Sequence, residues 1–180
     1  MKYLLFIALL FLHGCATKVS TLQTDSDLVL EADKGYLLIG VETNSSLKGI
    51  RLNGPSYIEL THNDLKRGSN FILVDLKAGN YIIEEILISN YASIEIDDGE
   101  FWTVDIRPGV INYVGNISVV SRGFWFRYSE IELVNKSSYA LEFLEDKYPN
   151  VLSSRELHYG GQGEDDFLRI FGAKPVGGVQ

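Results

Sequence analysis

The chain has 180 residues, of which 46% are apolar, 12% aromatic and 22% charged. That apolar fraction can build a core and excludes wholesale disorder. Sixteen basic residues against 24 acidic ones give a formal charge of −8, which argues against generic nucleic-acid binding, a process driven by a basic surface. A single cysteine excludes an internal disulfide framework and a cysteine-rich zinc centre.

Met1 and Lys2 form a short positive start, and Tyr3 to Leu12 follow as a nearly unbroken apolar run. Such a run is too short to cross a bilayer, which takes about 20 helical residues, and it fits the apolar region of a secretory signal. It ends in Leu12-His13-Gly14-Cys15, which holds the only cysteine. This tetrapeptide resembles a bacterial lipobox, with Leu12 at −3, Gly14 at −1 and Cys15 as first mature residue. His13 departs from the pattern, where a small or β-branched residue is usual. The resemblance implies that residues 1–14 are a lipoprotein signal peptide. It also implies that Cys15 takes a diacylglyceryl group on its thiol and a further acyl chain, such as palmitate, on its new amine. An ordinary signal peptide, or a buried strand with an incidental cysteine, would read similarly.

Two or more acyl chains hold a protein stably, whereas one does so only marginally. The implied location is the cell envelope. Asp after the lipidated cysteine is associated with inner-membrane retention; Ala16 therefore points to the outer membrane, on its periplasmic face. Cleavage would remove Lys2 and no acidic residue, taking the charge by one from −8 to −9. Membrane contact is then expected from the acyl chains rather than from a polybasic patch.

Residues 15–27, rich in Thr, Ser and Asp, read as a flexible tether. Residues 28–135 read as successive strands: Tyr36–Val41, Leu47–Leu52, Tyr57–Leu60, Phe71–Leu76, Tyr81–Ile88, Ser93–Ile96, Phe101–Ile106, Val110–Val120 and Phe124–Leu133. Asn53-Gly54-Pro55, Ala78-Gly79, Asp98-Gly99, Pro108-Gly109 and Arg122-Gly123 punctuate them as turns. Period-2 patterning puts Trp102, Val104 and Ile106 on one face against Phe101, Thr103 and Asp105. It likewise groups Ile111, Tyr113, Ile117 and Val119 against Asn112, Asn116 and Ser118. Close turn spacing with no helical stretch between predicts a mainly β fold, an antiparallel sandwich or barrel rather than a parallel α/β sheet, and an antiparallel β-sandwich is the expected architecture.

Two segments, Phe71-Ile-Leu-Val-Asp-Leu-Lys-Ala-Gly-Asn-Tyr81 and Phe101-Trp-Thr-Val-Asp-Ile-Arg-Pro-Gly109-Val-Ile-Asn-Tyr113, share a strand, a Gly-containing turn and an aromatic-bearing strand. This resembles the prealbumin-like, carboxypeptidase-regulatory-like sandwich over about half of the chain, within the broader Ig-like class. The resemblance implies the fold and a non-catalytic role, and it carries over no functional residue.

Residues 136–180 read as a C-terminal helix and a Gly-rich tail, with room for one more helical turn or two over Asp165–Phe171. Ser137-Ser138 can cap a helix running to Tyr148, where Pro149 stops it. Tyr139, Phe143, Leu144 and Tyr148 form its apolar stripe, expected to pack on the sandwich.

Chemistry-bearing residues are sparse. Once the signal is removed, only His62 and His158 remain, so a multi-histidine metal site within one chain is excluded. His62 reads as a solvated loop residue and His158 as a packed one. The sequence has no HExxH, Walker A or Gly-x-Ser-x-Gly pattern. Gly160-Gly-Gln-Gly163-Glu-Asp165-Asp-Phe167-Leu168 matches one calcium nonapeptide, but that motif works as a stacked array. A glycine-rich acidic loop is the plainer reading, and neither a metal nor another cofactor is expected. Glu84, Glu85, Glu130 and Glu132 could supply a carboxylate pair. Trp125, Tyr128 and Glu130 are the candidate ligand-binding residues, as aromatics beside a carboxylate on one sheet face. The resulting expectation is a lipid-anchored envelope module that binds a membrane through Cys15 and an envelope protein, without nucleic acid and without catalysis. A glycan- or peptide-binding module is the alternative, and an envelope hydrolase is third.

Overall fold

The computed structural model describes residues 15–26, 29–97, 99–123 and 128–171. The proposed signal peptide, Trp125, Asp98 of the expected hairpin turn and the tail beyond Phe171 lie outside them.

The described strands are β1 (Thr17–Val19), β2 (Lys34–Thr43), β3 (Gly49–Asn53), β4 (Ile58–Thr61), β5 (Gly68–Lys77), β6 (Gly79–Leu87), β7 (Ser93–Glu95), β8 (Thr103–Ile106), β9 (Ile111–Arg122), β10 (Tyr128–Val134) and β11 (Leu157–Tyr159). The helices are α1 (Ser137–Lys147), α2 (Pro149–Ser154) and α3 (Asp166–Phe171). The first sheet has the order β1-β4-β3-β6-β7, with β8 also on β6. The second has the order β10-β9-β2-β5, with β11 also on β9.

The protein is mainly β and sandwich-like, but its sheets are mixed rather than purely antiparallel. β1 with β4, β2 with β9 and β11 with β9 run parallel. Turn signals fix the direction of strands joined by a hairpin, and these three pairs join strands far apart in the chain. After β2 the chain crosses to the first sheet for β3 and β4, returns as β5 beside β2, and crosses again for β6 to β8 before β9 is laid down on the other side of β2.

β2 explains the architecture. Leu37, Ile39 and Val41 point into the core between the sheets, where Ile50, Leu60, Ile72, Ile83 and Trp102 meet them. Tyr36 and Leu38 point the other way, under a helical layer that includes Ala140, Leu144, Tyr148 and Leu168. Both faces are dry, so the strand reads as a continuous apolar run instead of an alternating one. The result is three layers, sheet on sheet on helices.

On β8 the expected alternation holds: Trp102, Val104 and Ile106 are buried between the sheets and Phe101 is 46% exposed. On β9 it does not. Ile111 and Tyr113 face the helices, whereas Val114, Ile117 and Val119 face the other sheet. The register with β2 shifts between Leu38 and Gly40, next to Gly115 with φ +108°. A bulge adds one residue to the strand and reverses its inward parity.

Among the described residues the C-terminal segment holds three short helices: α1 and, on the Asp165–Phe171 stretch, α3 answer the expected ones, and α2 is additional. Pro149 begins α2 at its first turn, a position where the missing N–H costs no bond. The buried stripe is Ala140, Leu144 and Tyr148, continued by Val151, and Tyr139 is 61% exposed. Ser137-Ser138 do not cap α1: Ser137 N–H donates to Asn135 Oδ1 at 3.0 Å and Lys136 N–H to the Tyr113 hydroxyl at 2.8 Å.

Residues 15–26 are not a free tether. β1 pairs with β4, Leu22 N–H donates to the Leu73 carbonyl at 2.8 Å, and Asp25 accepts from Asn150 N–H at 2.9 Å and Val151 N–H at 3.1 Å. The Thr and Asp side chains that suggested solvated coil are spent on backbone partners in β5 and α2.

Candidate functional site

Register places Lys18, Glu59, Arg51, Glu85 and Glu95 in one row across the outer face of the first sheet. Arg51 sits between two carboxylates: its Nε donates to Glu59 Oε2 at 3.0 Å and its Nη1 to Glu85 Oε2 at 2.6 Å. The Glu59 bond holds the guanidinium firmly charged, raising its pKa despite partial burial. Beside this row lies a depression of about 600 Å³, bordered by Cys15, Lys18, Lys48, Arg51, Tyr57 and Leu87. A Cβ at Gly49 would come within 3.1 Å of Glu59 Cγ and 3.2 Å of Leu87 Cδ1, so glycine leaves room between those two side chains. Cys15 is exposed and unpaired at this rim.

The sequence-derived ligand residues lie on β10. Tyr128, Glu130 and Glu132 alternate outward, while Ile131 and Leu133 pack against the inter-sheet core. Tyr128 is 73% exposed. Glu130 pairs with Arg122 at 3.9 Å, both side chains being about seven-tenths exposed, so water screens the pair. The structure thus brings Tyr128 and Glu130 to one open strand face; Trp125, the third member, lies outside the described residues. The remaining carboxylates are engaged as well: Glu84 accepts from Asn53 Nδ2 at 2.6 Å and Glu85 from Arg51.

A third place was not legible as a site. β11 lies on β9, and the chain then turns at Gly160, whose N–H donates to the Tyr113 carbonyl at 2.9 Å while its carbonyl accepts from Asp105 N–H at 2.8 Å. A Cβ at Gly160 would stand 2.2 Å from Asp105 O, so only glycine allows this approach. The turn opens a cleft of about 510 Å³ bordered by Asp105, Arg107, His158, Tyr159, Asp165 and Arg169. Arg107 pairs with Asp105 at 3.3 Å. Burial, with Arg107 adding to it, pulls the His158 pKa below the ordinary value and so favours the neutral imidazole. Burial pushes the Tyr159 phenol up, and its hydroxyl donates to the Gln162 carbonyl at 3.1 Å. The cleft gathers residues about fifty apart in sequence. The glycine-rich acidic stretch from Gly160 and the nearby His158 were visible in the sequence; their meeting with Asp105 and Arg107 was not.

The glycine-rich acidic loop has a structural task. Asp165 Oδ1 accepts from Leu168 N–H at 2.9 Å, capping α3, and its Oδ2 accepts from Asn135 Nδ2 at 2.8 Å. Asp166 pairs with Arg169 at 2.8 Å. Among the described residues no group of three or more His, Cys, Asp or Glu side chains is placed to hold a metal ion. His62 is exposed in the turn after β4.

Among the described residues no helix is long and apolar enough to cross a membrane. Compared with protein-family models, with curated proteins and with solved structures, the chain has no match.

Proposed function

We propose that the protein is a lipid-anchored cell-envelope module, held in the membrane through acyl chains on Cys15, whose body binds rather than catalyses. One observation carries the reading: the Leu12-His13-Gly14-Cys15 motif closes an apolar leader and delivers an exposed cysteine two residues ahead of the first strand. A thiol in that position is open to acylation without disturbing the core. On this reading the body is a prealbumin-like sandwich that faces the periplasm from the outer membrane and meets an envelope protein there.

Binding is favoured over hydrolysis because three of the carboxylates bordering the cleft are already engaged within the fold. Asp165 caps α3, Asp105 pairs with Arg107, and Asp166 pairs with Arg169. The open β10 face with Tyr128 and Glu130 supports the second reading, a glycan or peptide module, since an exposed ring beside a carboxylate suits a polar ligand with an apolar face.

The test is the mass of the N-terminal peptide from membrane-extracted protein, with metabolic labelling by palmitate. The expected result is a diacylglyceryl thioether on Cys15 and membrane recovery that is lost in Cys15→Ala. An unmodified Cys15 thiol in the mature chain would overturn the anchoring.

A further inference from the structure

The fold holds the anchor position against one particular surface. Thr17 opens β1 and its N–H donates to the Tyr57 carbonyl at 2.9 Å. Two residues of chain reach at most about 7 Å, so acyl chains on Cys15 would leave from the outer face of the first sheet. The body could not stand off on a spacer; that face would lie at the bilayer surface.

The depression at that place is cationic in an acidic protein. Its border carries Lys18, Lys48 and Arg51 against the single carboxylate of Glu59, while the whole chain is at −8. Arg51 is committed to Glu59 and Glu85. Lys18 and Lys48 are exposed and form no ion pair among the described residues, so their ammonium groups are available to an external anion. Two tyrosines frame the same place: Tyr57 on the border, and Tyr91, 94% exposed, beside the bordering Ser89 and Asn90. A ring with a polar tip is suited to the headgroup level of a bilayer.

We propose that the depression beside Cys15 seats the phosphate of an anionic phospholipid headgroup between Lys18 and Lys48, fixing the outer face of the first sheet against the membrane. This rests on the anchoring proposed above and names the surface that the anchor brings into contact. A lysine near an anionic bilayer contributes about fivefold in affinity, so two cations orient a body that the acyl chains already retain. The contact should weaken with salt.

The test uses the full acylated chain, extracted from membranes and reconstituted in vesicles of phosphatidylcholine with or without phosphatidylglycerol. An acylated Cys15 leaves an introduced cysteine as the only thiol, so a fluorophore is placed at Asn90→Cys or, on α1, at Glu142→Cys. Quenching by a spin label at the headgroup level is read. The expected result is strong quenching at position 90 and weak quenching at 142 in vesicles containing phosphatidylglycerol. The contrast should fall severalfold in phosphatidylcholine alone, in high salt and in the Lys18→Gln/Lys48→Gln chain, whose neutral replacements leave the sheet pairing intact. Equal quenching at the two positions would overturn the proposal while leaving the anchoring in place. So would a contrast indifferent to phosphatidylglycerol and to the two lysines. An unmodified Cys15 in the starting material would overturn both.

Discussion

Tyr113 is completely buried, yet its hydroxyl is the joint between sheet and helices. It donates to Asn116 Oδ1 at 2.7 Å and accepts from the Lys136 N–H at 2.8 Å, one of the orphan donors at the start of α1. Burial pushes its ionisation far above the ordinary tyrosine value, so the group acts only as a neutral hydrogen-bond relay. Tyr113→Phe keeps the ring and strands the buried Asn116 oxygen and the half-buried Lys136 N–H, and should cost about 2 kcal/mol, within the range for unsatisfied buried groups. The check is a urea midpoint that falls with an unchanged slope. His158 gives a pH signature. Its folded pKa lies below the unfolded value, so between the two the unfolded chain binds more protons and stability rises with pH. Stability should therefore fall as pH drops below about 6.5, the unfolded value, and keep falling until the folded pKa is passed. His158→Gln should flatten that part of the profile relative to the parent. A parallel profile in the variant would show that the histidine is not desolvated by the cleft.

At the scale of elements, the N-terminal segment shows most clearly what sequence could and could not reveal. Strand positions in the body were readable because Gly, Pro and Asn mark their ends, and Trp102, Val104 and Ile106 alternate cleanly on an uninterrupted strand. The face reversal on β9 was not readable, because a bulge at Gly115 leaves the apolar pattern intact while changing where it points. Residues 15–26 misled for another reason: a Thr- and Asp-rich stretch has the same composition whether water or a neighbouring backbone takes its hydrogen bonds. The Leu12-His13-Gly14-Cys15 motif behind the proposed anchoring was legible as a local string. The two depressions, assembled from distant strands, were not. Asp25 tests the docking of this segment. Its carboxylate accepts from Asn150 and Val151 N–H at the start of α2, a capping arrangement typically worth about 1 kcal/mol. Asp25→Ala should lower stability by that amount and speed amide exchange at both Leu22 and Val151. Faster exchange at Val151 alone would mean that the segment is held elsewhere.

For the whole molecule, the decisive feature is that β2 and β9 send side chains into both apolar clusters. Ile39 and Ile117 belong to the core between the sheets, while Leu38 and Tyr113, on the same two strands, belong to the helical layer. Neither cluster can be dismantled without exposing a face of the strands that define the other, so the molecule should unfold as one unit. Leu144 is fully buried under α1, on the helical side, and Trp102 lies in the opposite cluster. Leu144→Ala removes buried methyl groups and should cost about 2–5 kcal/mol. If the layers are coupled through β2 and β9, tryptophan fluorescence and far-ultraviolet circular dichroism will shift to the same lower urea midpoint. Were the helical layer an independent appendage, the dichroism would lose part of its amplitude first and the fluorescence midpoint would stay where it was. Coincident transitions in the variant, and not only in the parent, would therefore show that a substitution among the helices weakens the sandwich on its far side.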